Sequence, residues 1–288
     1  MRVLFFIILA SLPFLTQAQP ETEVYIFKLK QVNTTYELSE PWNVSGENPG
    51  YDNQPHFLPD GKSMYYVSTR NGQTDVIQVE FKESSWAWLT FTEGGEYSPT
   101  PIINGAEEAF SAIRLDRDGT QLLYQYPLDL SKPKVLVPEL KIGYHCWISE
   151  NLLAAFVLGE PSTLQLCHIA EGTHKIYDQN IGRSLHKIPN EGKVSYISKK
   201  SDPWKIMQLD PVTGVRTKIT DTLDGVEDMA WTPAGDIIMG QGSKIYKFSP
   251  SVDTSWVLIA DLDDFSLGNV TRIAVSPLGD RIAIVVDE

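Results

Sequence analysis

The sequence has little positive charge, which bears on the partners it can bind. Lysine and arginine number 24 against 37 aspartate and glutamate residues, a formal net charge of −13. No basic run interrupts this acidic excess. Because a protein of this charge repels the phosphate backbone of DNA and RNA, the composition argues against nucleic-acid binding.

Cysteine is nearly absent: Cys146 and Cys167 are the only two. In the strand arrangement derived below they fall on the first and third strands of one sheet, about 9 to 10 Å apart for strands spaced about 4.8 Å. That separation exceeds the reach of a disulfide. The sequence therefore predicts two buried free thiols that behave as small hydrophobic groups.

Long hydrophobic runs are equally scarce. The one extended apolar run, Val3 to Leu15, follows Arg2 and precedes the small or neutral residues 16–18. It is shorter than the roughly 20 apolar residues that span a bilayer, and its layout is that of a secretory signal peptide. We expect residues 1–18 to be a signal peptide and residues 19–288 to be an exported protein that does not span the membrane.

Helical periodicity is missing too, and short strands separated by turns take its place. The first clear group reads QPHFL, SMYYVST, TDVIQVEF and SWAWLTFT, with the turn PDGK between the first two segments. In such a turn proline and aspartate start the reversal, and glycine takes the positive φ. The sequence therefore predicts an all-β fold built from four-stranded units.

A repeat of about 43 residues organises these strands. The turn glycines are Gly61, Gly105, Gly192, Gly235 and Gly279, at steps of 44, 87, 43 and 44 residues. The double step contains a third unit, whose turn is Glu150-Asn151, with asparagine in place of glycine. Six units result, and four short strands repeated every 40 to 45 residues are typical of a β-propeller.

The two ends of the chain complete each other. The sixth unit, GNVTRIAVSPLGDRIAIVVDE, holds two strands, and the segment EVYIFKLKQVNTTYELSEPWNV near the start holds two more. Together they make one four-stranded blade, which removes the open edges of a linear array. We predict a single six-bladed β-propeller domain over residues 19–288, closed by the N-terminal strands and monomeric.

The stretch DNQPHFLPDGKSMYYVSTRNGQTDVIQVEF resembles the Pro-Asp-Gly type, WD40-like propeller repeat of TolB-like proteins. The resemblance covers residues 23–288 and is strongest in units one, five and six. It implies a bacterial envelope protein, in the periplasm or outside the cell. It implies no particular activity, because propellers carry many unrelated functions.

Aligning the hairpins predicts which residues surround one mouth of the central channel. The candidate binding residues are Asn53, Gln54, Arg70, Tyr97, Tyr144, His145, His186, Glu227, Asp228 and Arg272. The polar ring has two explanations: inner strands that line a wet channel with an Asp228–Arg272 ion pair, or a docking site at a concave mouth. Mixed charge with aromatic groups suits a protein or peptide partner.

Signs of catalysis are weak. A metal site formed by His145, His186 and a carboxylate of Glu227 or Asp228 is conceivable, but no short spacing such as HExxH supports it, and we predict no metal or cofactor. The segment GRSLH at 182 lacks the last glycine of a nucleophile elbow. We therefore expect a non-enzymatic, protein-binding or scaffolding module of the bacterial cell envelope.

Two alternatives stay open at this stage. The first is a saccharide-active enzyme of the lyase or lactonase type, since such enzymes also use propellers; it would rely on His145, His186 and Glu227. The second is passive binding of a glycan or another small ligand, without turnover.

Overall fold

Six four-stranded antiparallel sheets form the protein in a computed structural model that describes residues 20–46, 48–102 and 108–287. The expected signal peptide, residues 1–18, and the predicted turn glycine Gly105 lie outside the described residues. The first twelve strands are β1 (Thr22–Val32), β2 (Thr35–Asn43), β3 (Asn53–Phe57), β4 (Ser63–Arg70), β5 (Gln73–Glu80), β6 (Ser85–Trp88), β7 (Gly95–Ile102), β8 (Ala109–Leu115), β9 (Gln121–Pro127), β10 (Lys134–Val137), β11 (Ile142–Ser149) and β12 (Leu152–Val157). The next twelve are β13 (Thr163–His168), β14 (Thr173–Gln179), β15 (Ile181–Lys187), β16 (Val194–Ser198), β17 (Lys205–Leu209), β18 (Arg216–Asp221), β19 (Met229–Trp231), β20 (Ile237–Gln241), β21 (Lys244–Phe248), β22 (Val257–Asp261), β23 (Val270–Val275) and β24 (Arg281–Asp287).

Blades one to five each take four consecutive strands, beginning with β3, β7, β11, β15 and β19. The predicted all-β, six-bladed β-propeller is confirmed. The one helix in the described part of the chain is the four-residue 3₁₀ turn Leu262–Phe265. No helix in this part is long and apolar enough to cross a membrane.

Blade six is built from both ends of the described chain, in the order β2-β1-β24-β23. Strand β1 pairs antiparallel with β24 from Thr22 opposite Asp287 to Lys28 opposite Arg281. Strand β2 covers the outer edge of β1. The ring is therefore closed by main-chain hydrogen bonds between the first and last strands, as the sequence predicts.

The hydrophobic core is divided into layers between neighbouring blades. One cluster around Tyr65, Val67 and Phe110 fills the space between blades one and two. Another, which includes Val24 and Met64, joins blade six to blade one. Each neighbouring pair of blades shares such a layer, so six buried clusters hold the described ring together.

The PDGK segment is the tight turn between β3 and β4. The Gly61 amide donates to the Leu58 carbonyl at 2.9 Å, and Gly61 has a φ of 67°. The Asp60 carboxylate accepts from the Lys62 amide at 2.9 Å. Gly235 and Gly279 occupy the same left-handed position in blades five and six, with φ of 90° and 71°.

Two of the six predicted turns differ in detail. In blade four the left-handed residue is Asn190, with a φ of 58°, and not Gly192. In blade three Asn151 lies outside the left-handed region, and its side chain instead accepts from the Ala170 amide at 2.5 Å. The Asn151 side chain thus links the β11–β12 turn to the turn that follows β13.

Both cysteines are free, as predicted, but only Cys167 is fully buried. Cys146 is half-buried because it lies on β11, the innermost strand of blade three, at the edge of the core layer shared with blade four. The prediction of two buried thiols is therefore corrected for Cys146. Burial raises the pKa of the Cys146 thiol to about 11 and that of the Cys167 thiol to about 12, so both stay protonated near neutral pH.

Candidate functional site

The innermost strands of the blades are irregular where they reach one mouth of the channel. In five blades the pairing of the first strand with the second shifts register near this end, at Asn53–His56, Tyr97–Thr100, Ile142–Tyr144, Ile181–Leu185 and Val270–Arg272. Gln54 and Ser98 take left-handed φ values of 58° and 53° within their shifts. Because bulges of this kind turn side chains out of the regular alternation, they direct polar groups toward the mouth.

A contact between opposite blades crosses this mouth. Arg272 of blade six donates from Nη2 to the hydroxyl of Tyr144 in blade three at 2.8 Å. The guanidinium carbon also lies 5.1 Å from the centre of the Tyr144 ring. The side chain of Arg272 is only 12% exposed. This contact, which we call the cross-channel contact, joins two residues 128 positions apart in the sequence.

Charged groups of blades four, five and six extend the cross-channel contact. Arg272 Nη1 lies 3.5 Å from Asp228 Oδ2, and Arg183 Nε lies 3.6 Å from the same oxygen. Arg183 is also 3.6 Å from Glu227 Oε1, and Glu227 forms an ion pair with Lys199. Three cations and two carboxylates therefore form one connected network at the mouth of a strongly acidic protein.

Arg272 is firmly protonated in this network. Burial acts to lower its pKa, but the Tyr144 hydroxyl and the Asp228 carboxylate more than offset that effect and raise the pKa above the ordinary range. Burial acts the other way on Asp228 and raises its pKa, against the influence of Arg272 and Arg183. Because two guanidinium groups lie within 3.6 Å of Asp228, Arg272 and Asp228 form an ionised pair.

Tyrosine side chains form the rest of the mouth. Tyr51, which precedes β3, lies near Arg272, Tyr144 and Tyr97, and burial raises the pKa of its hydroxyl to about 12. Gln54 joins two blades, because its Oε1 accepts from the Ser98 amide at 2.6 Å and its Nε2 donates to the Tyr51 hydroxyl at 3.4 Å. The mouth therefore combines aromatic and charged groups.

Three histidines lie in the channel. His145 Nε2 is 2.6 Å from Ser111 Oγ, which also accepts from Trp147 Nε1 at 2.9 Å. His186 Nε2 is 2.9 Å from Ser184 Oγ. His56 differs from the other two, because its side chain is exposed to solvent within the channel. Burial, and secondarily His56, lowers the pKa of His145 to about 3. Burial lowers the pKa of His186 to about 4, so His145 and His186 are neutral near pH 7.

The residues of the conceivable metal or acid–base site are not brought together. His145 contacts Ser111, His186 contacts Ser184, and Glu227 contacts Arg183 and Lys199. Among the described residues no group of three histidine, cysteine, aspartate or glutamate side chains could hold a metal ion.

Two predicted site residues point elsewhere. Arg70 lies between the rings of Trp88 and Phe91, with its guanidinium carbon 4.5 and 4.9 Å from their centres, and its Nε is 3.0 Å from Asp75 Oδ2. Asn53 is 4% exposed, and its Oδ1 accepts from the Gln54 amide at 2.8 Å. Both contacts lie within blade one. The other eight candidate residues, or their neighbours, form the mouth.

Two cavities adjoin the residues of the mouth. The smaller, of about 360 Å³, lies between blades five and six and includes Arg183, Glu227, Asp228 and Thr271 in its lining. The larger, of about 710 Å³, lies between blades one and two and includes Tyr51 and Tyr97. Each cavity therefore shares residues with the mouth: Arg183, Glu227 and Asp228 in the smaller, and Tyr51 and Tyr97 in the larger.

The hairpin alignment missed three residues of this site: Tyr51, Arg183 and His56. Tyr51 precedes the first strand, outside the aligned positions. Arg183 reaches the network because the register of β15 shifts between Ile181 and Leu185, and no residue pattern marks that shift. His56 lies on the innermost strand β3, and that position was the available signal for it.

No protein-family model and no curated protein matches this sequence. Solved structures do match. A protein described as TolB from Agrobacterium tumefaciens superposes with a TM-score of 0.70 at 14% identity, over 94% of this chain and 99% of that one. TolB from Acinetobacter baumannii gives a TM-score of 0.56 at 15% identity, over 93% of this chain and 65% of that one.

Other similar structures have different roles. A chain of a nidogen/laminin complex matches with a TM-score of 0.52 at 6% identity, over 88% of this chain and 81% of that one. A puromycin hydrolase matches with a TM-score of 0.51 at 13% identity, over 79% of this chain but only 49% of the hydrolase. At these identities the similarity shows the fold and not the activity. The chain has the fold of the TolB-like six-bladed β-propellers.

Proposed function

We propose that this protein is an exported, non-enzymatic module of the bacterial cell envelope that binds a protein or peptide partner at the mouth described above. The observation that carries the proposal is the cross-channel contact with its charge network, a set of arginine and tyrosine groups whose neighbours line two cavities. Arginine and tyrosine are the residue types that contribute most to binding at protein interfaces.

The resemblance to TolB proteins supports an envelope location, and the neighbour from a nidogen/laminin complex is itself part of a protein–protein assembly. Export rests on the expected signal peptide. Mass spectrometry of the protein recovered from envelope extract tests it: a mature start near Gln19 supports export, whereas a retained Met1 contradicts it.

Partner binding is tested by affinity capture from envelope extract, followed by a titration with the purified, identified partner. Replacing Tyr144, Asp228 and Arg272 together by alanine should weaken the measured affinity at least about tenfold, because the central arginine and its partners are lost. The control changes an exposed ion pair elsewhere, Lys28→Ala with Glu40→Ala, whose side chains are 62% and 65% exposed. Circular dichroism must show both variants folded. Equal affinity of the triple variant and the wild type would refute this face as the binding site.

A further inference from the structure

The larger of the two cavities has features that partner docking at Arg272 does not use. Its walls come from the hairpins β4–β5 and β8–β9 and from the segments leading into β3 and β7. Its volume of about 710 Å³ is within the size range of small-molecule pockets, about 300 to 1,000 Å³. Neither Arg272 nor Asp228 lines it.

Two of the three charged residues in the described lining are paired, and the third, Glu21, is acidic. Asp116 Oδ1 is 2.8 Å from Arg114 Nε. Arg117, the one basic residue among the described lining residues, is 3.8 Å from Glu93 at the surface. A phosphate, a sulfate or a nucleotide would find no unpaired cation here, so the lining favours an uncharged ligand.

Two residues of the lining carry polar side chains without a hydrogen-bond partner among the described residues. Thr74 is 2% exposed, lines the cavity, and its hydroxyl has no hydrogen-bond partner among the described residues. Asn71 stands at the tip of the β4–β5 hairpin with a φ of 52°, and no hydrogen bond of its side-chain amide is seen in the described part of the chain. A buried hydroxyl without a partner is unfavourable, and a ligand hydroxyl would remove that deficit.

The remaining wall is aromatic and apolar. Tyr51 and Tyr97 form the side nearest the channel, and Leu115 lies in the opposite hairpin. At Gly72 no atom lies within 4 Å of the place where a Cβ would stand, so the hairpin leaves open space toward the cavity. Sugars have apolar C–H faces that pack on aromatic rings and rims of hydroxyl groups that bond amides and hydroxyls.

We propose that this cavity binds a neutral saccharide of about two or three rings. Its C–H faces pack against Tyr51 and Tyr97, and its hydroxyl groups bond with the Asn71 amide and the Thr74 hydroxyl. This binding activity is additional to partner docking and does not require the cross-channel contact.

Isothermal titration of the purified protein with cellobiose, maltotriose and N,N′-diacetylchitobiose tests the proposal. At least one should bind, and the variant Asn71→Gly with Thr74→Val should weaken that binding about tenfold or more. Glycine keeps the left-handed backbone at position 71 and valine keeps the shape at position 74. The matched control, Asn33→Gly, changes a turn asparagine with a φ of 56° on another blade and should leave the affinity unchanged.

The two proposals fail separately. The triple variant of Tyr144, Asp228 and Arg272 should keep saccharide affinity within about twofold while losing the protein partner. The saccharide site is overturned if no neutral probe binds up to about 10 mM, if the Asn71 and Thr74 changes leave the affinity unaltered, or if sulfated probes bind more tightly than neutral ones.

Discussion

Tyr144 holds a buried cation in place through one hydroxyl group. The 2.8 Å bond from Arg272 to this hydroxyl lies where the guanidinium is nearly excluded from solvent. Tyr144→Phe keeps the ring and removes the acceptor, so we expect the free energy of unfolding to fall by about 1–2 kcal/mol. Urea denaturation measures this change. As a control, Tyr246→Phe removes a hydroxyl that makes no hydrogen bond within the described residues, and an equal loss there would contradict the role given to Tyr144.

Glu96 is a fully buried carboxyl whose Oε1 accepts from Tyr126 at 3.0 Å and from Thr92. Burial raises its pKa from 4.5 to about 7, against the lowering effect of these hydrogen bonds and with a small added effect of Asp75. Because the folded state holds the proton more tightly than the unfolded state, this stabilisation is present below pH 4.5 and is lost as the pH rises through about 7.

We therefore expect Glu96→Gln to be more stable than the wild type by about 2 kcal/mol near pH 8.5, and to have no such advantage near pH 5. Urea midpoints at the two pH values give the comparison. Glu37→Gln, on the exposed face of β2, is the control and should shift neither midpoint. An advantage for Glu96→Gln that is independent of pH would be inconsistent with a titrating carboxyl.

At the level of single residues, the sequence predicted the ring of polar positions better than their contacts. Hairpin alignment placed Asp228 and Arg272 on adjacent blades, and they lie 3.5 Å apart. It gave no sign of the bond from Arg272 to Tyr144, because a contact between opposite blades depends on the channel width and on side-chain conformation. The spacing of the turns predicts neither the channel width nor the side-chain conformation.

At the level of strands, β1 closes the ring. It pairs with β24 on one side and β2 on the other, and Val24 and Phe27, on its two opposite faces, enter two different core layers. Deleting residues 23–45 would expose the edge of β24 and open both layers. We expect the shortened protein to unfold or to associate.

Size-exclusion chromatography with light scattering, together with thermal melting, measures that outcome. The control Asn33→Gly alters only the turn between β1 and β2, at a left-handed residue, and should remain a monomer with a cooperative melt. A monomeric, cooperatively melting deletion protein would contradict closure by β1 and β2.

The strands themselves were largely predictable because each unit repeats a hairpin with characteristic turn residues. Where the turn residues depart from the Pro-Asp-Gly pattern, the left-handed residue of the turn is harder to predict. Asn190 and not Gly192 adopts the left-handed conformation in blade four. Both residue types tolerate positive φ, so composition alone cannot choose between two neighbouring candidates.

For the whole molecule, the channel histidines set the response to acid. The pKa values of His145 and His186 are lowered from 6.5 to about 3 and 4, mainly by burial. The unfolded chain takes up these protons first, so the stabilisation present above pH 6.5 is lost as the pH falls toward about 4. Glu96 has the opposite effect on stability between about pH 7 and pH 4.5, because its raised pKa favours the folded state as the pH falls.

We expect the urea midpoint to fall between about pH 7 and pH 4.5, and to fall less in a variant with His145 and His186 both changed to glutamine. The exposed His168, changed to glutamine on β13, is the control. If the double histidine variant loses as much stability in acid as the wild type, these channel histidines do not govern the response.

The pairing of Thr22 with Asp287 also gives the architecture a cyclic character. Blade six does not depend on which of its strands is synthesised first, only on their lying side by side. A short linker across that pair, with a new opening at the solvent-facing hairpin around Val212, would produce a circular permutant that keeps every blade. The order of translation is thus separable from the order of strands around the ring.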